Sequence, residues 1–230
     1  MSSNTKSKPK FGMSKMLMYQ MMALVAIVLV FVAGNYFFKK SLHTVMKAPD
    51  FELTDQNNKK ITNKDLAGKV YVVEFFYARC ATICPVMNSN LKFVDKEINN
   101  SDFGIVSITI DPDNDTPAFL KEHAKKLGVK NPNWHFLTGD RDYIGKLANE
   151  FDIYVGDKND KAENLNHSGM IALVDKNGNV RCRFGKDGLP ILYYSGLNYE
   201  DENGTKPKLN GKYQPDRKIL IEDIKKLLEE

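Results

Sequence analysis

Ten consecutive residues, 69–78 (KVYVVEFFYA), carry large apolar side chains at nearly every position and run directly into Cys80, Cys84 and Pro85. An extended segment that is apolar on both faces has to be covered on both faces, so it belongs at the centre of a sheet flanked by helices. Pro85 suits the first turn of a helix, where its missing N–H is no loss. Apolar residues at 86, 87, 91, 94 and 98 then keep a helical period. Two thiols therefore sit where a buried strand empties into a helix N-terminus, whose partial positive charge and unpaired N–H groups favour thiolate over thiol.

The surrounding sequence repeats the strand-then-helix pattern. Residues 51–54 and 60–62 flank the polar turn DQNNK and predict a small hairpin. Residues 103–110 (FGIVSITI) predict a second buried strand, and Thr116-Pro117 opens a helix reaching residue 127. A short strand at 134–137 and a helix at 142–151 follow. Residues 170–175 and 179–184 read as strands joined across Lys176-Asn177-Gly178. The stretch 185–217 shows no period and reads as an irregular insertion, and 219–228 closes the chain as an amphipathic helix. Alternating βα units imply parallel central strands, with the later hairpin as an antiparallel edge. The expected fold class is α/β: a thioredoxin-like fold with an N-terminal β-hairpin, preceded by one transmembrane helix.

That helix is expected over residues 16–38, which hold 23 residues without a charge between Lys15 and Lys39. As a helix this stretch reaches roughly 34 Å, enough for a hydrocarbon core of about 30 Å. Tyr19, Tyr36, Phe37 and Phe38 near its ends suit the interface. Val32-Ala33-Gly34 resembles a weak cleavage site, but the length of the stretch and its aromatic, basic exit favour an uncleaved anchor. The expected organisation is a basic cytoplasmic arm at 1–15, the anchor at 16–38, a linker at 39–49 and one folded domain at 50–230. Residues 1–40 carry six lysines and no acid, leaving 27 basic and 29 acidic residues in the remainder. The positive net charge thus belongs to the membrane end, and no nucleic-acid-binding face is implied. The lysine balance slightly favours a cytoplasmic N-terminus. A single-pass protein of a bacterial inner membrane, its domain facing the periplasm, is the expected location.

Cysteines at i and i+4 across a helix start can approach closely enough for a disulfide or a shared metal ion. Arg79 beside Cys80 would add to the thiolate bias. The C-x-x-C spacing and preceding Trp of thioredoxin-type enzymes are absent, as is the Thr that a peroxide-reducing cysteine would want upstream. Cys182 alternates with Val180 and Phe184 on one face, opposite Arg181 and Arg183, and reads as a core residue. Of four histidines, His43 lies in the linker, His123 on a helix face expected to be exposed, and His135 in a partly buried strand. His167 stands apart because it closes a long polar loop just before the strand MIALVD. In a thioredoxin-like topology that junction packs beside the cysteine loop, making His167 a candidate third ligand. Two thiolates and an imidazole form a soft set that suits Cu(I), whereas zinc would want a fourth donor. Met87 is a further soft donor, but its helical spacing points to the core.

Four motifs in order resemble the Sco/SenC family: Cys80-Ala81-Thr82-Ile83-Cys84-Pro85 after an aromatic strand, the run from Ser107 to Pro117 (SITIDPDNDTP), Trp134–Gly139 (WHFLTG), and His167-Ser168 before IALVDKNG. The resemblance runs from about residue 47 to 184, and again weakly in the last helix. It implies a thioredoxin-like domain on the outer face of an energy-transducing membrane. It also implies copper ligands at Cys80, Cys84 and His167. The implied role is a metallochaperone that supplies a copper ion to, or helps mature, the binuclear copper site in cytochrome c oxidase subunit II, with a thiol reductant protein as second partner. The alternative is a thiol–disulfide oxidoreductase in which Cys80 and Cys84 act as a catalytic redox pair without stable metal. The family often has Pro and Asp where this chain has Ala81 and Thr82. The 185–217 stretch also departs from its pattern.

Overall fold

The computed structural model describes residues 15–81, 83–156, 168–185, 188–197 and 215–230. The basic arm up to residue 14, Thr82, the loop 157–166, His167 and most of the insertion (186–187 and 198–214) lie outside the described residues. The chain divides into two units, Met1–Ser41 and Leu42–Glu230. The first contains α1 (Lys15–Lys40), whose 26 residues amount to about 39 Å of helix. From Lys15 to Val32 none of it is buried, and Ile27, Val30 and Phe31 stand largely exposed.

The second unit follows the predicted βα order. The hairpin forms from β2 (Glu52–Asp55) and β3 (Lys60–Thr62), and a 3-10 turn (Asn63–Leu66) leads to β4 (Val70–Phe76). Then come α2 (Cys84–Ile98), β5 (Phe103–Thr109), α3 (Pro117–Leu127), β6 (Trp134–Thr138) and α4 (Arg141–Glu150). After the loop, β7 (Met170–Val174) and β8 (Asn179–Phe184) make the later hairpin, and α5 (Pro215–Glu229) ends the chain. Thr116 caps α3 as expected, its hydroxyl accepting from the Phe119 N–H at 3.3 Å.

Three further strands were not anticipated. Within the 39–49 stretch read as a linker, His43–Lys47 forms β1, antiparallel to β8. In the 185–217 stretch, β9 (Pro190–Ile191) pairs with β8, and β10 (Tyr194–Ser195) pairs with β7. In the described part of that stretch, 190–191 and 194–195 thus extend the sheet, and 215–217 already belong to α5. Among the described residues the strand order is β1-β8-β7-β4-β5-β6-β2-β3. β4, β5 and β6 run parallel; β7 is antiparallel to β4, and β2 to β6. The antiparallel edge beyond β8 is thus β1.

Every residue of β4 and of β5 is buried, as their two-faced apolar sequences require. Cys182 is in the core at 3% exposure, whereas Phe184 on the same face is 50% exposed because the sheet ends there. His123, expected to be exposed, instead packs against Phe76 and Phe136, both ring centroids 5.7 Å away. Leu120 and Ala124 define the buried stripe of α3, and His123 flanks it.

Candidate functional site

β4 ends at Phe76, and the next residues turn over the C-terminal end of the sheet into α2. The Ile110 N–H donates to the Phe76 carbonyl at 2.8 Å, and the Cys80 N–H to the Tyr77 carbonyl at 3.2 Å. Ile83, the residue preceding α2, supplies no side-chain cap. Instead the Cys84 N–H donates to Cys80 Sγ at 3.5 Å, so a sulfur takes the place of the usual capping oxygen. Both cysteines are buried thiols, Cys80 at 8% and Cys84 at 2% exposure.

The electrostatics of the two sulfurs are linked. The Cys84 thiol is pushed far above its ordinary range, first by its hydrogen bond with Cys80 and then by burial, against a Tyr77 backbone hydrogen bond. The Tyr77 phenol is pushed up to about 12 by burial, and its hydrogen bond with Cys80 adds to the rise. Tyr77 thus touches both sulfurs, one through its backbone and one through its ring hydroxyl. Arg79 is engaged elsewhere, its guanidinium 5.0 Å from the Phe119 ring centroid and 3.2 Å from Asn114 Oδ1.

The loop is braced from β5. Asp115 is fully buried; its Oδ2 accepts from the Ala78 N–H at 2.9 Å and from the Thr109 hydroxyl at 2.5 Å. Thr109 Oγ1 accepts in turn from the Asp111 N–H at 3.0 Å. Arg141 holds the outer end of this turn through Asp111 at 3.2 Å and Asp113 at 2.7 Å. Beneath the site, Glu74 on β4 is wholly buried. Its Oε1 accepts from the Ser107 hydroxyl at 2.6 Å, and Trp134 Nε1 donates to that hydroxyl at 3.0 Å. Burial pushes the Glu74 carboxyl up to about 7, and its charge contributes to the rise at Cys84.

Cys80 and Cys84 are therefore brought together at one helix start, as their spacing predicts. His167 lies outside the described residues, although the antiparallel register of β7 with β4 (Ile171 opposite Glu74) starts β7 beside the end of β4. Among the described residues no three His, Cys, Asp or Glu side chains group as a metal site. Met87 is fully buried, as its period suggests, and His43 stacks edge-on against Phe184. Asp115, Tyr77 and Glu74 had no predicted role. Glu74 was signalled by being the one acid in an otherwise apolar strand.

Residues 40–197 match the family model described as SCO1/SenC. The chain belongs to the SCO1/SenC family. A SCO2-like protein of Rickettsia felis is 33% identical over 147 residues, covering 61% of this chain and 70% of that one. The structure of BsSco, described as a member of the Sco family of cytochrome c oxidase assembly proteins with a disulfide switch, is 25% identical. It aligns at a TM-score of 0.61 over 80% of this chain and 95% of its own. ScoI of Bradyrhizobium japonicum with copper bound is 25% identical, with a TM-score of 0.53 over 80% of this chain and all of its own. The sheet and flanking helices are those of the thioredoxin-like Sco domain.

Proposed function

We propose that this protein is a membrane-anchored copper metallochaperone that supplies copper to, or helps mature, the binuclear copper site of cytochrome c oxidase. The observation that carries the reading is the pairing of Cys80 and Cys84 at a single buried helix start. Two soft sulfur donors shielded from water suit Cu(I) and are poor for hard cations. Copper bound to a Sco relative supports the same cargo. Cys80 and Cys84 contribute the thiolates and His167 the third donor. Transfer proceeds by exchange of these ligands for those of the acceptor. α1 is the anchor in a bacterial inner membrane, with the domain on the periplasmic side.

The test is metal analysis of anaerobically purified full-length protein, with a thiol count before and after copper. One copper per chain is expected, with severe loss on Cys80→Ser, Cys84→Ser or His167→Ala. Unaltered copper retention in His167→Ala would rule out the three-donor set.

The same thiol pair also favours a second reading, reduction of a partner disulfide, because the two sulfurs share one hydrogen-bonded turn. That activity needs both cysteines and not His167. Full oxidase maturation by His167→Ala, alongside failure of Cys84→Ser, would select it over copper delivery.

A further inference from the structure

β1 and β8 are antiparallel, with His43 opposite Cys182 and Lys47 opposite Asn179. The end of β8 thus lies at the end of the ladder where the chain arrives from α1. The His43 ring packs edge-on against Phe184 there, centroids 4.7 Å apart. β9 folds back over the same corner, with Pro190 opposite Phe184 and the Gly185 N–H donating to the Leu189 carbonyl at 2.7 Å. Phe184, Leu189 and Leu192 are 50%, 65% and 37% exposed. A single apolar residue at a surface needs no explanation, but three within one hairpin end form a patch that favours an apolar partner.

The length of chain says which partner. Only Ser41 and Leu42 separate Lys40, the last residue of α1, from His43. Three residues of extended chain reach at most about 11 Å. If α1 spans a bilayer, as proposed above, His43 and the Phe184 ring against it are confined near the interfacial layer.

We propose that Phe184, Leu189 and Leu192 dock this corner of the domain onto the phospholipid surface; the proposal rests on α1 being the anchor. β8 is antiparallel to β7 and β7 to β4, so β8 runs in the same direction as β4. The docking corner and the Cys80–Cys84 turn consequently share one end of the sheet, two strand spacings apart, or about 10 Å. Docking holds the thiols close to the membrane surface, where a membrane-embedded acceptor presents its own ligands.

The test uses the full chain in phosphatidylethanolamine–phosphatidylglycerol vesicles, with and without brominated acyl chains. Phe184→Trp and Leu189→Trp are compared with Lys60→Trp, on β3 at the opposite edge of the sheet. The single native tryptophan, Trp134, is buried and contributes a constant background. Bromine quenching at 184 and at 189 is expected to exceed that at 60 by at least twofold. Equal quenching at all three positions, in protein that floats with the vesicles, overturns the docking and leaves the anchor standing. Protein that fails to float overturns the anchor and the docking with it.

Discussion

The backbone N–H of Cys84 donates to the sulfur of Cys80 at 3.5 Å, so one thiol of the pair caps the helix that begins with the other. An N–H at a helix start stabilises negative charge on the sulfur that accepts from it. The Cys84 thiol, by contrast, is held in its protonated form by its hydrogen bond with Cys80 and by burial. Alkylation of the reduced, metal-free protein at neutral pH is therefore expected at Cys80, at least about tenfold faster than at Cys84 or the core residue Cys182. Peptide mass analysis after timed iodoacetamide treatment reads this directly. Predominant labelling of Cys84 would reverse the assigned roles.

Asp115 is the brace that keeps this turn in place. Substitution by Ala leaves the half-buried Ala78 N–H and the buried Thr109 hydroxyl without their acceptor. At about 1–3 kcal/mol for each orphaned group, a loss of about 2–6 kcal/mol in stability is expected. Because the brace holds the strand end that presents Cys80, copper affinity should also fall by about tenfold or more. Asn retains an acceptor oxygen and should recover a large part of both. Chemical denaturation and competition with a copper chelator measure the two effects. Wild-type behaviour of the Ala variant would remove Asp115 from the site.

Asp223 on α5 fastens the last helix to the sheet. It is fully buried and takes Arg183 at 2.6 and 2.5 Å, Lys226 at 2.8 Å and the Tyr194 hydroxyl at 2.8 Å. Burial pushes its carboxyl up, but these partners outweigh it and hold the pKa below the usual value. Its contribution is therefore complete above about pH 4 and declines as pH falls through the depressed folded pKa. Asp223→Ala leaves the half-buried Arg183 guanidinium with Glu222 alone, at 3.2 Å, and the buried Tyr194 hydroxyl without its acceptor, and should cost about 2–4 kcal/mol. A shift in urea midpoint equivalent to under about 1 kcal/mol would contradict this.

The parts of the fold legible in sequence were those with a period of their own. Residues 69–78 and 103–110 are apolar on both faces, and the helix after Pro85 repeats every three to four residues. β1 (HTVMK) is mostly exposed and becomes a strand only by pairing with β8, so nothing local announces it. β9 and β10, at two residues each, are too short to show alternation. Cys80 and Cys84 were visible because their spacing is local. Asp115 was not, since its bond to Ala78 joins residues 37 apart, a relation created only by the β4–β5 pairing. Phe184 shows the converse limit: alternation gives the face of a strand, while exposure also depends on where the sheet stops.

Glu74 offers a pH signature opposite in sign to that of Asp223. It lies on the central strand with Oε1 bonded to Ser107 and Oε2 without a hydrogen-bond partner among the described residues. Its folded pKa, about 7, lies above the value of 4.5 for a free side chain. Between pH 4.5 and 7 the folded state binds the extra proton, so stability falls as pH rises through that window. The full difference corresponds to about 3 kcal/mol. Glu74→Gln keeps an acceptor for Ser107 but cannot ionise. It should match the wild type near pH 4.5 and exceed it by up to about 3 kcal/mol above pH 7. Urea midpoints of both proteins in detergent, taken from pH 4.5 to 8, give the difference curve. A flat difference across that range would show that Glu74 does not titrate within the fold as its burial requires.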